Sequence, residues 1–407
     1  MYIQFKYYQI ILDNAGSVVP GDGQDGTIMV KFASRLDGMQ TSGVRKMFEM
    51  AKSGSINLGL GQPDFDPPKE AIEGARKAME GGKNAYGSVF GVRELRDAIA
   101  SYCSKYTKGL TGDNIIVTVG GSEALNVAAH TFYEPGDEVL IPDPGFVFYR
   151  PHATLLGAKP VTYPLSQENG FVPTQEDLLK RVTSKTKAIV VNFPNNPCGS
   201  TLSKAQRDMI VDIAKDRDLV IISDEVYDMI VYDRPHESFL GHYDKLVYIN
   251  SFSKTFATTG WRIGYIASPD PAMVEKLSMV HYYTVACAPT PIQYGIIEAL
   301  GKAMDFPKRM LKEFTKRREV IVKLLNEIPG VTCLKPEGAF YAFPKVDVKI
   351  SDMDLALKIL EAGVICSPGV SFGPAGAGHL RFSYANSVEN IEKGMAIVGK
   401  VIKGNRK

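Results

Sequence analysis

Six short apolar runs, each closing on a polar or glycine-rich stretch, set the tightest limit on how this chain can fold. They are IIVTV (115–119), VLIP (139–142), AIVVNF (188–193), LVIIS (219–223), LVYIN (246–250) and RIGYIAS (262–268). A strand with one solvated face alternates apolar and polar residues. These runs are apolar almost throughout, as strands covered on both faces are. Helical patterns lie between several of them, for example AQRDMIVDIAKDRD, in which Met209, Ile210, Ile213 and Ala214 share one face. Strands alternating with helices predict an α/β fold with a mostly parallel sheet covered on both sides.

In such sheets ligands bind beyond the carboxyl ends of the strands. The segments that follow the runs are GGSEAL, DPGFVFY, PNNPCG, DEVY and SFSK, so the polar residues cluster where a site belongs. Further on, IPGVTCLKPEGAFYAFPKV, ISDMDLALKILEAG and HLRFSYA read as α+β. They predict a smaller lobe over residues 301–407, which residues 29–75 are expected to join, leaving 76–300 as the large lobe. The opening residues 1–28 are aromatic and then rich in Gly and Asp. They lack the basic start and small-residue cleavage site of a signal peptide, and are expected to be a poorly ordered extension ahead of Met29.

Charge and cysteine usage narrow the function. Lys plus Arg number 47 against 45 Asp plus Glu, a net charge of +2, so nothing favours nucleic acid or an anionic membrane as partner. Hydrophobic residues at 44% are enough for a full core, and at 407 residues two or three lobes are expected. The five cysteines (Cys103, Cys198, Cys287, Cys333, Cys366) are odd in number and form no CxxC pair, which argues against a disulfide framework and a zinc site. No metal site is expected. With no apolar run near the ~20 residues that span a bilayer, a cytoplasmic enzyme of small-molecule chemistry is the expectation.

The stretch SFSKTFATTGWRIGY (251–265) carries that chemistry. After IIVTV come Gly120, Gly121 and Ser122 and then a helical pattern, so the Gly121 and Ser122 N–H groups open a helix, a ready anion site. Alone, this segment reads as a serine cap after a tight turn. Ser251, Ser253 and Arg262 at the end of another strand complete a cage for a phosphate dianion, the arginine offering bidentate contacts. Lys254 then becomes an amine beside a phosphate ester, the arrangement that suits an imine to an aldehyde cofactor. Pyridoxal phosphate makes three further demands. Asp224, ending LVIISD, suits the ring nitrogen. Asn196 and Tyr227 suit the phenolic oxygen, and Phe146 in DPGFVFY offers a platform for the ring. Singly, Asp224 reads as a helix cap, Asn196–Pro197 as a turn and Phe146 as core. Jointly, the strand-end segments supply every part of one cofactor site.

From about residue 33 onward the chain resembles the class I/II, fold type I pyridoxal-phosphate aminotransferases, the aspartate and aromatic aminotransferase family. The motif SxSKxxxxxGWRxG is specific to that family, and LGLGQPDFDPP, AYGSVFGVRELRDAIA, GGSEAL, NNPCG, SDEVY, PEGAFY and HLRFSYA accompany it in family order. The resemblance implies a large domain with a mostly parallel seven-stranded sheet, a smaller α+β domain and a homodimer. It implies Lys254 as the catalytic lysine and proton shuttle, Asp224 on the pyridine nitrogen, Asn196 and Tyr227 on the ring oxygen, and Phe146 against the ring. Gly121, Ser122, Ser251 and Arg262 would hold the phosphate, with Tyr86 reaching it from the partner subunit. Arg381 matches the family's α-carboxylate-binding arginine, and Gly61 a backbone contact to substrate.

Three positions depart from the family pattern: Cys198 stands in place of a common threonine, Thr258 of a hydrophobic residue and Ser88 of a common proline. They bear on subfamily rather than mechanism. The expected activity is ping-pong transfer of the α-amino group of an aspartate-, aromatic- or alanine-type amino acid to a 2-oxo acid, with 2-oxoglutarate the expected acceptor. The same cofactor site also serves β-elimination lyases and cyclopropane-forming synthases. A nucleotide-binding oxidoreductase would share the sheet, but no GxGxxG follows any strand. A cofactor-binding regulator would need a DNA-binding domain, for which residues 1–28 are too short.

Overall fold

The computed structural model describes residues 32–37, 39 and 43–406. Residues 1–28, expected above to be an extension, lie outside the described residues. Residues 32–37 hold a single 3-10 turn at Ser34–Leu36, in a unit ending at Gly38, and everything from Met39 onward belongs to a second unit.

That second unit is built on a seven-stranded sheet. Its strands are β1 (Ile115–Thr118), β2 (Glu138–Asp143), β3 (Lys159–Pro164), β4 (Thr186–Asn192), β5 (Val220–Asp224), β6 (Leu246–Ser251) and β7 (Gly264–Ala267), in the order β1-β7-β6-β5-β4-β2-β3. All six apolar runs are strands, and every residue of β1, β2, β5, β6 and β7 is buried. The seventh, β3, was not visible as a run. It lies at the sheet edge with two prolines and a mostly half-buried KPVTYP sequence, which edge strands tolerate and central ones do not.

Six strands run parallel, while β7 is antiparallel to both its neighbours. The reason is local. Parallel neighbours need the chain carried back along the sheet, usually by a long helix, whereas the connection 252–263 holds only the short helix Phe252–Thr255 and a 3-10 turn at Thr259–Trp261, so β7 starts at the end where β6 stops, Gly264 opposite Ser251. The helix Lys204–Asp216, predicted from its pattern, starts on a capping box between Ser203 and Gln206 and buries Ile210, Ile213 and Ala214, with Met209 half-buried.

The rest of the chain is α+β. A three-stranded antiparallel sheet joins Tyr341–Ala342, Leu380–Ser383 and Ser367–Pro368. Ile56–Asn57 pairs in parallel with Val364–Ile365, tying the N-terminal segment to the C-terminal one. Asp64 receives a 2.6 Å bond from Arg317, and Phe65 packs edge-on against Phe306 and Phe314 of the same long helix, Asp305–Asn326. Among the described residues no helix is long and apolar enough to cross a membrane.

Candidate active site

The carboxyl ends of β4, β5 and β6 and the starts of β7 and of helix Gly120–Phe132 converge on one cavity. Gly120 takes φ +75°, a turn natural to glycine, to pass from β1 into that helix. Gly264 opens β7 so close to it that an added Cβ would lie 2.7 Å from backbone atoms of Gly120 and Gly121. Arg262, itself at φ +58°, lies over the turn and donates one bond to Thr259 O at 3.0 Å. Ser251 accepts from the Ser253 N–H at 3.2 Å, and their hydroxyls lie 2.9 Å apart. Free helix N–H groups, a guanidinium and two hydroxyls make a cradle for an anion. Behind it Glu123 accepts from Val119 N at 3.0 Å and pairs with His281 Nδ1 at 3.0 Å, a buttress that sequence reasoning missed.

Lys254 stands on the short helix Phe252–Thr255 after β6, and its Nζ donates to Gly61 O at 2.5 Å. Burial, with Arg262 and Arg381 nearby, brings its pKa down to about 8, against an upward pull from Asp224. Asp224 ends β5 almost fully buried. Its Oδ2 accepts from the Tyr149 hydroxyl at 2.7 Å, whereas Oδ1 is buried without a hydrogen-bond partner. Desolvation raises this carboxyl to about 6, opposed by the Tyr149 bond, the Val226 main-chain N–H and the Lys254 charge.

Arg381, 4% exposed, pairs with no carboxylate among the described residues. It donates to Asn196 Oδ1 at 2.9 Å, Gly59 O at 2.5 Å and Ser367 Oγ at 3.3 Å, and its Nε is left over. Its guanidinium lies over the rings of Tyr341 (4.5 Å) and Phe372 (4.8 Å). A buried cation without a counter-ion is a receptor for an anionic ligand. Tyr341, also missed, hydrogen-bonds the Tyr227 hydroxyl at 2.7 Å and closes on Gly61, where any Cβ would strike its hydroxyl. Asn192 ties the ends of β4 and β5, donating to Asp224 O and accepting from Asn196 N, both at 2.9 Å. Phe146 stacks on Phe148 with centroids 4.8 Å apart.

The cavity measures about 280 Å³, close to the lower end of the ~300–1,000 Å³ usual for small-molecule sites. Its walls include Gly61, Gly121, Ser122, Phe146, Asn196, Asp224, Tyr227, Ser251, Ser253, Lys254, Arg262 and Arg381, with Val44, Leu125, Asn192, Val226 and Tyr341. Of the residues named from sequence, Tyr86 alone is not brought in, its side chain standing 91% exposed. Thr258, one of the unusual positions, donates its buried hydroxyl to Phe252 O at 2.9 Å and so braces the lysine-bearing helix. Cys198 is buried, and Ser88 accepts from Phe90 N at 3.3 Å.

Sheet and cavity together define an enzyme of the fold type I transferase architecture. The family described as aminotransferase class I and II matches residues 53–398. A probable aspartate aminotransferase of Methanocaldococcus jannaschii is 41% identical over 91% of this chain and 99% of its own length. An aromatic-amino-acid aminotransferase of Thermococcus litoralis is 40% identical over 91% and 98%. The solved alanine aminotransferase of Pyrococcus furiosus superposes with a TM-score of 0.87, at 34% identity over 92% of this chain and all (100%) of that one. The chain belongs to the class I and II aminotransferase family and is an aminotransferase.

Proposed function

We propose that the chain is a pyridoxal-phosphate-dependent aminotransferase of amino acids and 2-oxo acids. One observation carries the reading: Asp224 presents a buried, unclaimed carboxylate oxygen in the wall of the cavity that also holds the Lys254 amine. A carboxylate so placed suits a protonated pyridine nitrogen, and the anion cradle suits the phosphate, so the residues present fit the cofactor.

When bound, pyridoxal phosphate supplies an electron sink that acidifies the substrate's α-carbon. Gly121, Ser122, Ser251, Ser253 and Arg262 would hold the phosphate, Phe146 would offer a face to the ring, Asn196 and Tyr227 would serve the phenolic oxygen, and Asp224 would keep the ring nitrogen protonated. Arg381 binds the substrate α-carboxylate, and the carbonyl of Gly61 positions Lys254 Nζ, which takes the α-proton and returns it. A single carboxylate receptor serves amino acid and 2-oxo acid alike, so the two bind in turn, in ping-pong order. Aspartate-, aromatic- and alanine-type donors, the names carried by the relatives, are the substrates to rank, with 2-oxoglutarate as acceptor.

The reading extends to the whole protein: a cytoplasmic homodimer, with residues 29–75 and 301–407 as the small lobe, 76–300 as the large lobe, and Tyr86 serving the neighbouring site.

Reconstitution tests it. The apoprotein should gain a visible absorbance band with pyridoxal phosphate, and Lys254→Ala should lose both band and turnover while keeping its fold by circular dichroism. Turnover by Lys254→Ala at the wild-type rate overturns the reading.

A further inference from the structure

The two oxygens of Asp224 differ, and the difference traces to Tyr149. This tyrosine follows Phe146 by three residues in DPGFVFY, so one short segment supplies the ring platform and the donor to Asp224. It opens the helix Tyr149–Leu155, is 3% exposed, and packs edge-on against Phe146 with centroids 5.7 Å apart at 75°. Its hydroxyl reaches Oδ2 at 2.7 Å and leaves Oδ1 as the unclaimed acceptor. The main chain of Asp224 is held separately, by Asn192 at its carbonyl. Tyr149 is thus the side chain that holds the carboxylate, beside the main-chain N–H of Val226, while Asn192 holds the main chain of Asp224. Burial and the neighbouring carboxylate hold the phenol well above its ordinary pKa, so it acts as a donor throughout the working range.

We propose that Tyr149 is a positioning residue that orients Asp224 so that Oδ1 is the oxygen offered to the cofactor's pyridine nitrogen. It rests on the pyridoxal-phosphate reading above and adds a residue which that reading does not use. A carboxylate without this restraint rotates about its terminal torsion, which is broad and roughly two-fold, and shares its charge among several weaker geometries. Oriented hydrogen bonds to an ionised group are among the strong ones.

The test compares pyridoxal phosphate with 1-deazapyridoxal phosphate, in which a CH replaces the ring nitrogen, by titrating each into apoprotein and following tyrosine and tryptophan fluorescence. Tyr149→Phe should weaken pyridoxal phosphate roughly tenfold to a hundredfold, the range for a lost hydrogen bond to a charged group. The deaza analogue, which cannot pair with Asp224, should bind wild type and Tyr149→Phe alike. Equal losses for both ligands would mean that Tyr149 only shapes the pocket, and no loss for pyridoxal phosphate would mean that it does not act through Asp224. Either result overturns the proposal. Tyr149→His keeps a ring and a donor and should retain the preference for pyridoxal phosphate; if Tyr149→Phe fails to fold, loss of preference in Tyr149→His overturns it instead. Wild-type apoprotein that binds neither ligand would refute the functional reading itself.

Discussion

Lys254 shows how a side chain acquires chemistry from its surroundings. An exposed lysine is almost wholly ammonium at neutral pH, but burial and two neighbouring guanidinium groups bring this one to about 8. If Lys254 is the cofactor-binding amine proposed above, its free form is the nucleophile, and cofactor capture by the apoprotein should accelerate about tenfold per pH unit below that value and level off above it. Stopped-flow absorbance between about pH 6 and 10 checks this, and a rate that is flat or falls with pH would contradict it. Lys254, Asp224 and Arg262 were legible only jointly, because each sits at or near the boundary of an apolar run where a sheet of this kind places its site. Tyr149, Asn192, Tyr341 and the Glu123–His281 pair were not. They act on other side chains or on backbone groups through contacts that exist only after folding, and no spacing along the chain encodes them.

The elements divide in the same way. Fully buried strands were readable from continuous hydrophobicity, while β3 was hidden by its prolines and its edge position, and the reversed direction of β7 leaves no trace in its composition. That reversal sets up a close backbone approach in the site, between Gly264 and the Gly120–Gly121 turn. A methyl group at Gly264 would meet backbone atoms that have nowhere to go. Gly264→Ala should therefore cost ~1–3 kcal/mol of stability, the usual range for overpacking, and separate β7 from the helix start. Urea unfolding would read the first effect. A cofactor dissociation constant raised about tenfold or more would read the second, and a variant with wild-type values for both would show that the contact is slack.

For the molecule as a whole, the exposed aromatics carry the argument. Tyr86 is 91% exposed on a loop held by Thr290 through Ala85 O at 3.1 Å, and Tyr282 and Tyr283 are 53% and 82% exposed. Exposed aromatics mark a partner surface where they are grouped, as Tyr282 and Tyr283 are with ring centroids 5.1 Å apart, and a second copy of this chain is the partner proposed above. If Tyr86 serves the neighbouring site, mixing Tyr86→Phe with Lys254→Ala gives heterodimers with one doubly defective site and one intact site. Activity should rise above both parents, as measured on tagged heterodimers; heterodimers confirmed to form and no more active than the parents would exclude action across the interface. The N-terminal and C-terminal segments meet in the pairing of Ile56–Asn57 with Val364–Ile365. A single chain's sequence offers little about the proposed dimer, because Tyr86 gained its meaning only from a family resemblance.

The placing of β1 at the sheet's outer edge, against β7 alone, has a consequence for synthesis. The Gly121–Ser122 turn leaves the ribosome early, but the strand that holds it in place ends at Ala267. Until then the nascent chain carries an unpaired strand edge and half an anion cradle. A ligand that needs both halves of that cradle has no site before β7 has joined the sheet.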